Sequence, residues 1–168
     1  MTLGLLTLHF IFVAITGLSV FYGVLISEGG GAFGHHITLA LASTLLGVFT
    51  HTMTYFYFVG MGSNLKRAVE EHNRGHEHLA ASRKLKVKVF PWAFGGMALL
   101  MTTFVLGGGA HTNAFPSIVH KIPGYLVLAY SCIAIFAEGY YLLKQNTLVN
   151  LFQMELSKSK EKLTKTKS

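Results

Sequence analysis

Four long apolar runs constrain this chain more than any other feature of its sequence. They cover residues 3–26, 37–61, 90–106 and 122–143, and each is continuous rather than alternating between apolar and polar residues. A membrane-spanning helix needs about 20 apolar residues, whereas strands span membranes only in closed barrels with an alternating pattern. Only 12% of the residues are charged. We therefore predict an all-α integral membrane protein with four transmembrane helices in an up-down-up-down bundle.

Lysine and arginine are concentrated on one side of this predicted topology. The connection over residues 62–89 contains seven of them, and the tail over 154–168 contains five more. Because basic segments remain in the cytoplasm, we expect both termini to be cytoplasmic. The expected organisation is a transmembrane domain over 1–153, including a helical cytoplasmic connection over 62–89, followed by the basic tail.

The expected surroundings are a lipid bilayer, in a bacterial cytoplasmic (inner) membrane, and a larger membrane protein complex. The net charge of +7 is explained by topology, and the sequence contains no module that reads nucleic acid. It also lacks a phosphate-binding loop and a nucleophile elbow. A self-contained enzyme is therefore not expected, although a subunit of a membrane oxidoreductase is compatible with the sequence.

Histidines lie in or beside the apolar runs, where ionisable side chains are costly and therefore point to function. In a four-helix bundle the second and fourth helices face each other diagonally, and both begin on the outer side. His36 (or His35) would then meet His120 at one depth, as the two axial ligands of haem b require. The alternative is that these histidines, together with His111, only line the membrane interface.

A second layer of polar side chains lies deeper in the runs. His51 follows His36 by about 22 Å along the second helix, and His9 reaches a similar depth in the first helix. Glu138 could support a ligating histidine, deliver protons to a quinone, or pair with a cytoplasmic lysine such as Lys144, and the last role is favoured. The alternatives for His51 are a hydrogen bond to a neighbouring Thr or Tyr and an all-protein metal site with His9 and Glu138.

Local signals add detail to this plan. Each outer connection, at Gly29 to Gly31 and at Gly107 to Gly109, is Gly-rich and precedes a histidine, which suggests two copies of one helical hairpin. Pro91 and Pro123 suit the first turns of the third and fourth helices. The run His72, His76 and His78 has metal-ligand spacing, but a solvated loop is the favoured interpretation because Gly75 interrupts the helix.

Together, His36 and His51 on one helix give the chain a resemblance to small four-helix membrane subunits that carry b-type haem and contact quinone, including di-haem cytochrome b domains. That resemblance implies a haem at each depth. Because the fourth helix has no histidine near the depth of His51, the inner haem would use His9.

Three functions follow from these patterns. The first is an electron-transfer subunit that binds haem b through His36 and His120, with His51 and His9 as further iron ligands, and exchanges electrons with a quinone or partner subunit. The second is a cofactor-free accessory or anchor subunit of a larger complex. The third is a metal-binding or proton-coupled protein that uses His9, His51 and Glu138.

Overall fold

The computed structural model describes residues 1–27, 31 and 33–167, and these residues form four α-helices and no strand. Glu28, Gly29 and Gly30 of the first Gly-rich connection lie outside the described residues. The helices are α1 (Thr2–Ser27), α2 (Phe33–His72), α3 (His76–His111) and α4 (Ile118–Lys167). All four are long and apolar enough to span a membrane, which confirms the predicted class of an all-helical integral membrane protein.

Three helices are much longer than the apolar runs from which they were predicted. They contain 40, 36 and 50 residues in α2, α3 and α4. At 1.5 Å per residue these lengths are about 54 to 75 Å, whereas the hydrocarbon core of a bilayer is about 30 Å thick. The additional helical residues include the whole charged connection over 62–89 except its turn. α4 also includes most of the basic tail.

The turn between α2 and α3 lies where the sequence predicted the helical connection to break. Asn73 and Gly75 have φ values of 49° and 81°. The amide of Arg74 donates to the carbonyl oxygen of Val69 at 3.4 Å, which closes the end of α2 in the usual left-handed manner. Gly75 also lies so close to Phe152 of α4 that a β-carbon would clash with that ring. The glycine is therefore required both by its backbone angle and by its packing.

The boundaries of α3 correct two sequence predictions. Pro91 lies inside α3 rather than in its first turn, because the Ala-, Leu- and Lys-containing segment before it is helical and α3 begins at His76. Gly107 to Gly109 belong to the same helix rather than to an outward connection. The helix ends only after His111, where Asn113 takes a φ of 57° and the amide of Ala114 donates to Gly109 at 2.9 Å. Pro123 likewise lies within α4, beyond its first turn.

Each helix packs against the next along the chain, and α1 also packs against α4, whereas α2 and α4 contact each other only weakly and α1 and α3 do not pack together among the described residues. This arrangement matches the predicted diagonal placement of α2 and α4. Three apolar clusters lie along the bundle, around Leu142, Phe12 and Phe152. Many large apolar side chains face outward instead, such as Phe136 at 77% exposure. Such an exterior suits contact with lipid rather than water.

Candidate haem site and buried His-Glu triad

Two imidazole rings meet at one end of the helical bundle. Nδ1–H of His36 donates to the carbonyl oxygen of Ser19 at 2.8 Å, and Nδ1–H of His120 donates to that of Thr103 at 3.1 Å. The ring centroids of the two histidines are 6.0 Å apart, with 71° between the ring planes. Because a carbonyl oxygen fixes Nδ1 in each ring, Nε2 is the nitrogen that each histidine can offer to a metal.

A glycine on the neighbouring helix makes room for each of these rings. A β-carbon on Gly23 would lie 3.1 Å from Cε1 of His36, and one on Gly107 would lie 3.0 Å from Cε1 of His120. Both distances are shorter than ordinary van der Waals contact, which begins near 3.4 Å. The two glycines therefore let the rings lie directly against the backbones of α1 and α3.

The two imidazole environments are related by one sequence shift. Each histidine bonds to a carbonyl oxygen 17 residues earlier in the chain. A shift of 84 positions carries Ser19, Gly23 and His36 onto Thr103, Gly107 and His120. This correspondence in contacts supports the pairing of His36 with His120 in the suggested two-hairpin repeat, although it aligns Gly107 with Gly23 rather than with Gly29 to Gly31.

A cavity of about 740 Å³ adjoins the two rings. Its lining is mostly apolar, with Val24, Ala40 and Phe104 among the contributing residues, and it includes both histidines. Lys121 and Ser117 add polar atoms to the lining. The chemistry of the lining suits an apolar molecule with a polar edge.

The spacing of the rings fits haem iron between them. With metal–nitrogen bonds of about 2 Å on each side, two axial imidazoles have their centroids about 6 Å apart. The ring centroids of His36 and His120 are 6.0 Å apart. The fixed Nδ1 atoms, the glycine recesses and the adjoining cavity are the other features that two axial ligands need.

A different arrangement lies deeper in the bundle, where Glu138 is placed between two histidines. Nδ1–H of His51 donates to Oε1 of Glu138 at 2.7 Å, and Nε2 of His9 lies 2.9 Å from Oε2. His9, His51 and Glu138 have exposures of 1%, 0% and 0%. They come from α1, α2 and α4, and we call them the buried triad.

The hydrogen bonds of the triad define where its protons are. Nδ1 of His9 lies 2.9 Å from the carbonyl oxygen of Leu5, which only accepts hydrogen bonds, so Nδ1 carries a proton. If Glu138 is ionised, Nε2 of His9 must donate as well, and His9 is then an imidazolium. Its positive charge balances the buried carboxylate, which would otherwise be prohibitively costly in the bundle.

The triad corrects the favoured sequence expectation that Glu138 pairs with a cytoplasmic lysine. Nζ of Lys144 instead donates to the hydroxyl of Tyr140 at 3.1 Å. The carboxylate faces into the bundle because two imidazoles are available there. A second haem between His9 and His51 would have to displace Glu138, so the two histidine layers do not offer the same kind of site.

The remaining histidines make simpler contacts. His35 is exposed and stacks on Tyr22 with centroids 5.3 Å apart, and His111 packs against Phe33. His72 ends α2 and His76 begins α3, so the two histidines do not share one helical face. His78 lies 3.1 Å from Glu155 on α4, near Glu77, in a largely exposed group.

Sequence reasoning missed three features of these sites. The backbone carbonyls of Ser19 and Thr103 gave no signal, since any residue supplies one. Gly107 looked like part of a connection. Gly96, whose β-carbon would lie 2.5 Å from Nε2 of His51, stood out only as one of several small residues in the apolar runs. Its role depends on which face of α3 packs against α2, and the sequence does not show that face.

Comparisons with protein-family models, with curated proteins and with solved structures found no match to this chain.

Proposed function

We propose that this protein is a membrane electron-transfer subunit that binds one b-type haem between His36 and His120. The observation that carries the proposal is the 6.0 Å separation of two imidazoles whose Nδ1 atoms are both fixed by backbone carbonyls. The adjoining cavity of about 740 Å³ supports it.

Ligation by two histidines also favours electron transfer over chemistry at the iron. With both axial positions filled by protein, no position is open for oxygen or another substrate. The haem would supply a one-electron carrier, while the protein supplies its ligands, its apolar surroundings and its orientation. A quinone or a partner subunit in a larger membrane complex would give or take the electron.

The proposed orientation follows from charge. The basic connection over 62–89 and the basic tail support cytoplasmic termini. In the proposed arrangement the four helices cross a bacterial inner membrane up-down-up-down. His36 and His120 would then lie toward the outer side and the buried triad toward the inner side. Electrons would enter or leave the haem near the outer surface.

The test is an absorption spectrum of the full chain, purified from cells supplied with a haem precursor, before and after dithionite. We expect a reduced b-type α band and a single haem per chain. His36→Ala and His120→Ala should each abolish the band. His35→Ala is the matched control, because His35 is adjacent in sequence but exposed, and it should keep the band.

Two results would overturn the proposal. Colourless wild-type protein that is folded and was made with abundant haem would favour a cofactor-free accessory subunit. A band that persists in both His36→Ala and His120→Ala would place any haem elsewhere.

A further inference from the structure

Apart from the proposed haem ligands, the most unusual feature of the molecule is the buried triad. Three ionisable side chains from α1, α2 and α4 converge with exposures of 1% or less, within helices that are apolar enough to span a membrane. Ionisable groups in such a position are expensive and mark functional sites by default. An ion pair between His9 and Glu138 alone would balance the charge, so the presence of His51 calls for a further reason.

We infer that His9, His51 and Glu138 form a binding site for a divalent first-row metal ion, separate from the proposed haem site. Two histidines and one glutamate are a common ligand set for zinc and for non-haem iron(II). Each of the three residues offers a ligand atom, and these atoms lie within 4.8 Å of one another. The inference does not depend on the haem.

The distances require little rearrangement. The two nitrogen–oxygen distances in the triad are 2.7 and 2.9 Å. Ligand atoms about 2.0 to 2.2 Å from a tetrahedral zinc ion are roughly 3.3 to 3.6 Å apart. Lengthening each of these two nitrogen–oxygen contacts by about half an ångström would make room for the ion. The ion would replace the protons that the histidines share with Glu138.

Both imidazole rings are held in place by the residues around them. Nδ1–H of His9 bonds to the carbonyl oxygen of Leu5 at 2.9 Å, which fixes the ring and directs Nε2 toward the carboxylate. His51 is held by Phe12, whose ring centroid is 5.6 Å from its own. On its other side, a β-carbon on Gly96 would lie only 2.5 Å from Nε2.

Metal binding at the triad requires two proton movements. The ion displaces the proton between Nε2 of His9 and Glu138, and that proton leaves the site. For Nδ1 of His51 to bind the metal, the proton on that ring moves to Nε2. Nε2 of His51 is buried without a hydrogen-bond partner among the described residues, so this move breaks no existing bond but leaves the new N–H without an acceptor there. One water or hydroxide would complete four-coordination.

The test measures non-haem metal in the full chain, purified in detergent without chelators. Separate samples are incubated with Zn²⁺ and, anaerobically, with Fe²⁺, desalted, and analysed for metal, with haem iron subtracted. We expect about one ion per chain, and the preferred metal distinguishes a zinc site from an iron site. Glu138→Gln and His51→Ala should each weaken binding by about 10-fold to 100-fold or more.

Two matched variants separate this site from its neighbours. Glu155→Gln removes a carboxylate from the exposed group around His78 and should leave the metal content unchanged. His36→Ala should remove haem without removing this metal. Circular dichroism checks the fold of each variant, and if Glu138→Gln does not fold, His51→Ala decides, because it leaves His9 paired with Glu138.

Two outcomes would overturn the inference. One is wild-type protein that retains less than about 0.1 non-haem ion per chain after both incubations. The other is metal that stays in His51→Ala but is lost in Glu155→Gln, which would assign it to the exposed group. Wild-type protein that binds the metal but no haem would refute the proposed electron-transfer function and leave this inference standing.

Discussion

Gly96→Ala is the sharpest structural test of the buried triad, because a single methyl group is added where α3 meets the ring of His51. The new β-carbon would lie 2.5 Å from Nε2 and 2.9 Å from Cδ2 of His51, whereas ordinary contact begins at 3.4 Å. The ring cannot retreat freely, since Nδ1 bonds to Glu138 at 2.7 Å. A shift of about 0.9 Å, the difference between 2.5 and 3.4 Å, would displace Nδ1 from its position against Oε1 and weaken that bond.

The expected cost follows from three contributions to the free energy of unfolding. Weakening a hydrogen bond to a charged group costs about 1.5 to 3 kcal/mol. Forcing an extra methyl group into a packed interior costs about 1 to 3 kcal/mol. The higher helix propensity of alanine returns up to about 1 kcal/mol. We therefore expect Gly96→Ala to destabilise the protein by about 1.5 to 6 kcal/mol.

The measurement is reversible unfolding by sodium dodecyl sulfate in mixed micelles, followed by circular dichroism. Gly60→Ala in α2 is the matched control, because a β-carbon there meets nothing within 4 Å. The control should be unchanged or slightly stabilised. If the two variants have the same stability within about 0.5 kcal/mol, the argument that α3 holds the His51 ring in place is refuted.

Two further predictions concern other close contacts. Gly107→Ala should weaken haem binding by about 5-fold to 150-fold, because its β-carbon presses on His120. Gly60→Ala, where a β-carbon meets nothing within 4 Å, should not weaken it; equal haem retention by the two variants during haem extraction by apomyoglobin would contradict this. Nε2–H of Gln145 donates to the buried hydroxyl of Ser82 at 2.9 Å, so Ser82→Ala should cost about 1 to 3 kcal/mol. Adding Gln145→Leu to that variant should restore most of the lost free energy of unfolding. Unfolding titrations of the two single variants and the double variant test this, and additive costs would show that the two side chains are not coupled.

The depth of a residue along the bundle could be predicted from sequence, because the apolar runs indicate which residues of different helices lie at the same depth. That reasoning brought His36 toward His120, and His9 toward His51, and the structure places both pairs within about 6 Å between ring centroids. The number of helices followed from the same runs. Depth requires only counting along each helix at 1.5 Å per residue.

The direction in which a side chain faces could not be predicted in the same way. Glu138 and Lys144 are close in sequence, yet the carboxylate faces the buried imidazoles and the lysine contacts Tyr140. Helix ends were also obscured. Gly107 has low helix propensity, but packing against His120 keeps it within α3. Both errors arise because tertiary contacts, rather than local preference, decide these positions.

The repeat separates the roles of the two polar layers. The shift of 84 positions that relates His36 to His120 carries His9 to Ala93, His51 to Ile135, and Glu138 back to Thr54. All three of these positions are buried, and none of them is ionisable. The pair of His36 and His120 therefore follows from the symmetry of two hairpins, which would place equivalent ligands on both faces of the proposed haem. The buried triad breaks that symmetry, and three non-equivalent donors around one point suit a single ion rather than a second haem.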